Sequence, residues 1–389
     1  MSSDENHNAA QNAAAVALCG AKRLVIKVGS AILCEPQESG GAVRADWLAG
    51  LAQDIADLCQ RGAEVVVVTS GAIALGRQRL GLSGALRLDE KQAASAAGQA
   101  ALAQAWQAAF EPHNVNIAQI LLTLDDTENR KRYLNARATF RTLLDLGALP
   151  LVNENDTIAT SEIRYGDNDR LAAHAAQLVA ADLLVILSDI DGLYTTDPRK
   201  SAGAKHIPLI ETITPEIEQA AGGVNQAAGV GSGGMASKIA AAKIAGTAGC
   251  ATVIAPGALE HPLRAASDGG RASLFKPSTS RERARRQWIS GRLKPAGKIV
   301  VDDGAVNALL KGASLLPAGV KQVSGDFARG DAVEIVDSAG RVIAQGLSAY
   351  CADEARMIAG GRSDAIETLL GYRRRPAVVE KDDLVLRSE

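Results

Sequence analysis

Short apolar runs recur along the first two thirds of the chain, at residues 24–28, 64–68, 117–122, 149–152, 183–187 and 252–255. Each is rich in Val, Ile or Leu, and each is followed by a stretch with helical spacing. Between the first two runs, Trp47, Leu48, Leu51, Ile55 and Leu58 recur every three or four residues, and Gly62 follows as a helix stop. Strands that are apolar throughout are covered on both faces. Their alternation with helices therefore predicts an α/β fold: an open, mainly parallel sheet sandwiched by helices.

Ligands of such sheets bind beyond the carboxyl ends of the strands, and there the sequence turns polar or glycine-rich each time. Lys27-Val28-Gly29-Ser30 closes the first run, Thr69-Ser70-Gly71 the second and Asn153-Glu154-Asn155-Asp156 the fourth. Ser188-Asp189 closes the fifth and Pro256-Gly257 the sixth. All of these converge on one edge of the predicted sheet.

From residue 276 to 294 the pattern changes to a Pro- and Arg-rich segment carrying Arg281, Arg283, Arg285 and Arg286. It reads as a connection between domains, and equally as a solvated helix with one charged face. Beyond it, runs at 298–301, 319–323, 332–336 and 342–347 are separated by Gly and Asp, which predicts a small β-rich domain shaped as a partly closed barrel. The chain thus divides into an extension at 1–20, a large domain at 21–275, a connection at 276–294, a small domain at 295–376 and a tail at 377–389. The first residues are Asn- and Ala-rich, without a secretion signal's basic and apolar regions, and read as a frayed extension.

Composition narrows the class of partner. A chain of 389 residues exceeds the usual single core, and a formal charge of −2 gives no global field for nucleic acid or an anionic membrane. Cys19, Cys34, Cys59, Cys250 and Cys351 are odd in number and scattered, which suits reduced thiols in a cytoplasm better than a disulfide frame or a zinc site. No apolar run reaches the roughly 18 residues of a membrane span. The histidines show neither a metal spacing nor a Ser-His-Asp context.

Gly229-Val230-Gly231-Ser232-Gly233-Gly234 formally satisfies the dinucleotide fingerprint, but Gln226-Ala227-Ala228 precedes it where a strand is required, and Ile254 lies near the acidic position. Lys238 stands four residues after Gly234, so the segment is not a Walker A loop either. Residues 235–248 read as a helix ended by Gly249. The glycines then sit at a helix N-terminus, where free N–H groups and the dipole attract phosphate, with Lys238 on the first turn. A flexible surface loop followed by an exposed lysine fits the same residues.

Lys27 lies in an otherwise apolar run, an unfavourable place unless it reaches water or an anion, or guards an edge strand. Asn153 to Asp156 and Tyr165-Gly166-Asp167-Asn168-Asp169 put acids and amides near the same edge, suited to a metal, an ammonium group or simple turns. Phosphoryl transfer needs charge neutralisation and in-line positioning, and two lysines with a carboxylate meet that need.

These residues resemble the amino acid kinase superfamily and, within it, the glutamate 5-kinase family. The resemblance rests on Val25-Ile26-Lys27-Val28-Gly29-Ser30, Val68-Thr69-Ser70-Gly71-Ala72-Ile73, Val152-Asn153-Glu154-Asn155-Asp156 and Gly166-Asp167-Asn168-Asp169. Asp191-Gly192-Leu193-Tyr194-Thr195 with Asp197-Pro198, and Gly231-Ser232-Gly233-Gly234-Met235 through Lys238, complete it. The part with Gly312-Ala313-Ser314-Leu315-Leu316-Pro317 and Gly325-Asp326-Phe327 is similar to PUA domains.

The resemblance implies ATP-dependent phosphorylation of the γ-carboxylate of L-glutamate to glutamyl 5-phosphate, the first step of proline synthesis. Lys27 and Lys238 would neutralise the transferred phosphate and Asp169 would hold them. Ser70, Asn153, Asp156, Asp167 and Asn168 would bind glutamate, with Asp156 facing its ammonium group. Lys27, Ser188, Asp189 and the segment Ser232, Gly233, Gly234, Met235, Ala236, Ser237 and Lys238 would line the ATP site, with Mg2+ on the nucleotide phosphates and no protein metal ligand. It also implies a homo-oligomer, dimer or tetramer, and proline as feedback inhibitor. Aspartokinase, acetylglutamate kinase and uridylate kinase share the ATP half. An N-acylated substrate would gain nothing from Asp156, which favours a free amino acid. RNA binding by the PUA-like domain is the reading from another class, and over all residues after Pro295 acidic residues slightly outnumber basic ones.

Overall fold

A computed structural model of the protein describes residue 10 and residues 12–36, 41–158, 168–221, 234–291, 294–372 and 376–387. The chain divides into two compact units, Met1–Arg281 and Glu282–Glu389.

The first unit is built on an eight-stranded sheet. Its strands are β1 (Arg23–Val28), β2 (Glu64–Thr69), β3 (Ile117–Leu122), β4 (Leu149–Glu154), β5 (Leu183–Ser188), β8 (Leu209–Ile210), β9 (Ala251–Pro256) and β10 (Ser273–Phe275), in the order β3-β4-β2-β1-β5-β9-β10-β8. Between β5 and β8, β6 (Leu193–Tyr194) and β7 (His206–Ile207) pair as a small ribbon. Pairings from β3 to β9 are parallel and β10 runs antiparallel to β9. Short β8 and β10 carry too few residues to stand out as apolar runs.

Helices cover both faces. On one side pack α1 (Ala13–Gly20), α2 (Ala45–Gln60), α3 (Ala72–Arg79), α4 (Leu88–Phe110) and, past β9, α8 (Pro262–Ser267). On the other lie α5 (Arg130–Asp145), α6 (Asn168–Val179) and α7 (Met235–Thr247). The expected crossover helix is α2, whose Trp47, Leu48, Leu51, Ile55 and Leu58 are all buried.

Two expectations need correction, and two open alternatives are decided. The N-terminal extension is not frayed through residue 20, because Ala13–Gly20 is helical and buries Ala14 and Leu18 in the first core. Its alanines hid this, since they satisfy a helix without marking an apolar face. Lys27 does not guard an edge, because β1 lies between β2 and β5, with Lys27 opposite Val68 and Ile186. Of the two readings of the 276–294 segment, the charged helix is the one observed, as α9 (Arg281–Gly291). Finally, residues after 376 are no tail: Ala377, Val378 and Val379 are buried, and a strand, β15 (Leu384–Leu386), pairs with β14.

The second unit is a five-stranded sheet in the order β12-β11-β13-β14-β15, formed by β11 (Gly297–Val301), β12 (Val320–Gly325), β13 (Ala332–Val336), β14 (Val342–Leu347) and β15. With α10 (Asp303–Leu310) and α11 (Ala352–Ile358) it encloses its own core around Ile299, Val301, Leu309, Ile335 and Tyr350.

Candidate active site

Alternation along β1 sends Leu24, Ile26 and Val28 into one core and Val25 into the other, so Lys27 shares Val25's face, the one covered by α6 and α7. Only 6% of Lys27 is exposed. A buried ammonium needs an anion, and Lys27 Nζ lies 2.6 Å from Asp169 Oδ1. Asp169 sits in the first turn of α6, where the helix dipole favours a carboxylate. Its second oxygen accepts from Lys238 Nζ at 3.0 Å and from Ser237 Oγ at 2.9 Å, both in the first turn of α7. One carboxylate, itself 1% exposed, thus holds two buried lysines side by side. Burial alone would push the Asp169 carboxyl up, but the ammonium groups of Lys27 and Lys238 outweigh it and hold the group below the usual carboxylate range.

Beside this cluster lies a chain of side-chain amides. Asn168, next to Asp169, donates from Nδ2 to the Thr69 carbonyl at 2.8 Å, to Ser70 Oγ at 2.7 Å and to Asn153 Oδ1 at 3.1 Å. Asn153 Nδ2 donates in turn to Gln99 Oε1 at 2.9 Å. Thr69, Ser70, Asn153 and Asn168 stand at the carboxyl ends of β2 and β4 and the start of α6, and Gln99 stands on α4. Gly71, directly after Ser70, adopts φ +114°, a conformation that turns the chain from β2 into α3 and that side chains resist.

Asp156, two residues past β4 and 7% exposed, accepts the Ser95 hydroxyl on Oδ2 at 2.5 Å. Burial raises its carboxyl above the ordinary value, against the opposing pull of the Ser95 hydrogen bond. An ammonium-bearing ligand would relieve that cost.

The structure therefore brings together Lys27, Lys238, Asp169, Ser237, Ser70, Asn153 and Asn168, with Asp156 joined through α4. Ser188 ends β5, the strand beside β1. Its hydroxyl bonds to exposed Asp189 at 3.1 Å, outside the lysine cluster. Gly234 caps α7, and Met235 and Ala236 follow it on the first turn. Asp167, Ser232 and Gly233 lie outside the described residues. Sequence reasoning missed Ser95 and Gln99 on α4. Little in the sequence marks them: Ser95 shares a buried face with Ala94, Gly98, Leu102 and Trp106, but alanine and glycine do not make that face stand out. Among the described residues no group of three His, Cys, Asp or Glu side chains could hold a metal ion.

A mainly parallel sheet with two buried lysines on a helix-borne aspartate suits phosphoryl transfer, and the comparisons identify a kinase family. Residues 22–256 match the amino acid kinase family and residues 297–370 match the PUA domain. The chain is 54% identical over 369 residues to glutamate 5-kinase of Paramagnetospirillum magneticum, covering 95% of this chain and 99% of that one. It is 57% identical over 367 residues to glutamate 5-kinase of Caulobacter vibrioides, covering 94% and 97%. The chain belongs to the glutamate 5-kinase family, in the amino acid kinase class.

Proposed function

We propose that the chain transfers the γ-phosphoryl group of ATP to the γ-carboxylate of L-glutamate. The observation that carries the reading is the pair of buried lysines held on Asp169 at the carboxyl edge of the sheet. Lys27 and Lys238 face charge on the moving phosphoryl group, and the first turn of α7 offers N–H donors to the phosphates. Asp169 positions both ammonium groups. Asn168, Asn153 and Ser70 bind glutamate through polar side chains, and Asp156 takes its ammonium.

A carboxylate is ionised at neutral pH, so the attacking oxygen needs no general base. A bond forms between that oxygen and the γ-phosphorus as the bond to the β–γ bridging oxygen breaks. ADP leaves with that electron pair, and the product is an acyl phosphate. Mg2+ enters with the nucleotide.

Residues 21–275 are the catalytic domain of this reading, 276–294 the connection and 295–376 the PUA-like domain, with α1 added to the first and residues 377–387 to the last. The division of the chain after Arg281 supports it. Inhibition by proline and a dimeric or tetrameric state belong to the same proposal, supported by the family resemblance alone. A cytoplasmic location is supported by five unpaired cysteines. Among the described residues no helix is long and apolar enough to cross a membrane.

Incubation with Mg·ATP, hydroxylamine and glutamate, aspartate or N-acetylglutamate tests the reading, because hydroxylamine traps an acyl phosphate as its hydroxamate. Product is expected with glutamate, and product only with N-acetylglutamate overturns the substrate. Lys27→Met and Lys238→Met should each lower kcat by roughly 100-fold or more, the usual loss when a charge stabiliser is removed, with far smaller changes in KM for glutamate. Wild-type turnover in either would remove that lysine from the mechanism.

A further inference from the structure

The polarity of the amide chain is fixed from one end. The Thr69 carbonyl can only accept, so the group that Asn168 turns towards it is its NH2. The same NH2 reaches Asn153 Oδ1, which leaves Asn153 Nδ2 to meet Gln99 Oε1. Each amide therefore dictates the orientation of the next, and the chain ends on Gln99 Nε2. That nitrogen is buried and has no hydrogen-bond partner among the described residues. A buried donor left unmade is destabilising, so its retention calls for a ligand acceptor.

Position says which acceptor. Gln99 and Ser95 are one turn apart on the same face of α4, and Ser95 holds Asp156. The end of the amide chain nearest the lysines is Asn168, beside Asp169, while Gln99 is its far end. We propose that Gln99 contacts the substrate, its Nε2 donating to the α-carboxylate of bound glutamate, whose ammonium lies on Asp156. This rests on the glutamate kinase reading above. It adds to that reading a donor that recognises the α-carboxylate, the group left untouched by the reaction.

α4 is held where this requires. A Cβ on Gly98 would fall 1.8 Å from the Ala72 carbonyl oxygen, and one on Gly76 would fall 1.6 Å from that of Ala94. The backbones of α3 and α4 therefore touch, which fixes α4 against the helix that follows Ser70-Gly71. Neither glycine can be replaced without moving the wall that carries Ser95 and Gln99.

Steady-state kinetics of Gln99→Ala and Gln99→Glu test the proposal, with thermal unfolding to confirm folding. Both should raise KM for glutamate roughly tenfold or more, as loss of a hydrogen bond to a charged group does, while KM for ATP and kcat stay within a few-fold. Gln99→Glu should be the worse, because its carboxylate repels the substrate's. If Gln99 served only to hold Asn153, the order would reverse, since Glu keeps the acceptor for Asn153 Nδ2 and Ala does not. Reversed order, or an unchanged KM, overturns the proposal. Should Gln99→Ala fail to fold, Gln99→Glu alone decides by its KM. Absence of hydroxamate from the wild type with glutamate would instead overturn the underlying function, so the two failures are distinguishable.

Discussion

Two aspartates on the same edge respond to pH with opposite sign. Asp156 titrates above its unfolded value of about 3.9, so its contribution to stability is fully present below that value and is lost as pH rises through the folded one. Ionised Asp156 therefore weighs on the ligand-free protein at neutral pH. Asp169 titrates low, so its contribution is present above about 3.9 and is lost as pH falls through the folded value. Asp156→Asn should accordingly raise Tm at pH 7, with the gain vanishing at pH values below its unfolded pKa. The same change should raise KM for glutamate roughly thirtyfold or more, because removing one partner of a buried charge pair costs about 2–5 kcal/mol. Asp169→Asn should lower Tm at pH 7, since it strands two buried lysines at about 3–5 kcal/mol. Scanning fluorimetry across pH checks the signs, and equal Tm shifts for both variants would refute them. Lys27 was legible in the sequence because a lysine within an apolar run is costly and must be explained. The ion-pair geometry was not, because Asp169 and Lys238 are 69 positions apart and only the fold brings them together. Asp156 was legible as an acid near the edge, but its hydroxyl partner on α4 was not.

At the scale of elements, α4 shows how a helix with little sequence signal sets a site. Its apolar positions are mostly alanine, so neither its face nor its register stands out, and Gly76 and Gly98 read as weak points in helices. In the folded chain they are the contact itself. Gly98→Ala should force the helices apart at a cost of about 1–3 kcal/mol, the usual range for overpacking. The shift carries Ser95 and Gln99 away from Asp156 and Asn153. KM for glutamate should therefore rise several-fold more than KM for ATP, whose expected site on α7 is on the other face of the sheet. Parallel kinetics in both substrates read this directly, and equal effects would argue against α4 as a wall of the glutamate pocket alone. Strands such as β1, β2 and β5 were predicted within a residue of their observed ends because unbroken apolar runs bounded by glycine or polar clusters leave little choice. β8 and β10 escaped because two or three residues cannot establish a period, and their place depends on β9.

At the scale of the whole molecule, two cores mean two separate folding problems, and the second is closed by residues that look dispensable. The chain from Ala377 onward reads as a charged tail, with Glu380, Lys381, Asp382 and Asp383 around a few apolar residues. Yet Leu315 N donates to the Val379 carbonyl and Val378 N to the Leu315 carbonyl, at 2.8 and 2.7 Å, and Leu384, Val385 and Leu386 extend the sheet beyond β14. Val378 and Val379 are fully buried and Leu384 nearly so. At about 1.5–3 kcal/mol for each buried aliphatic side chain, the three contribute an amount comparable with the whole stability of a small domain, about 5–15 kcal/mol. A chain truncated before Ala377 should therefore lose the cooperative unfolding transition of the second unit in calorimetry and expose that unit to limited proteolysis. The transition of the first unit should remain, because the core on either face of its sheet draws on no residue beyond Phe275. Persistence of both transitions would show that β15 and the segment before it are accessory. Loss of both would show that the two cores do not fold independently.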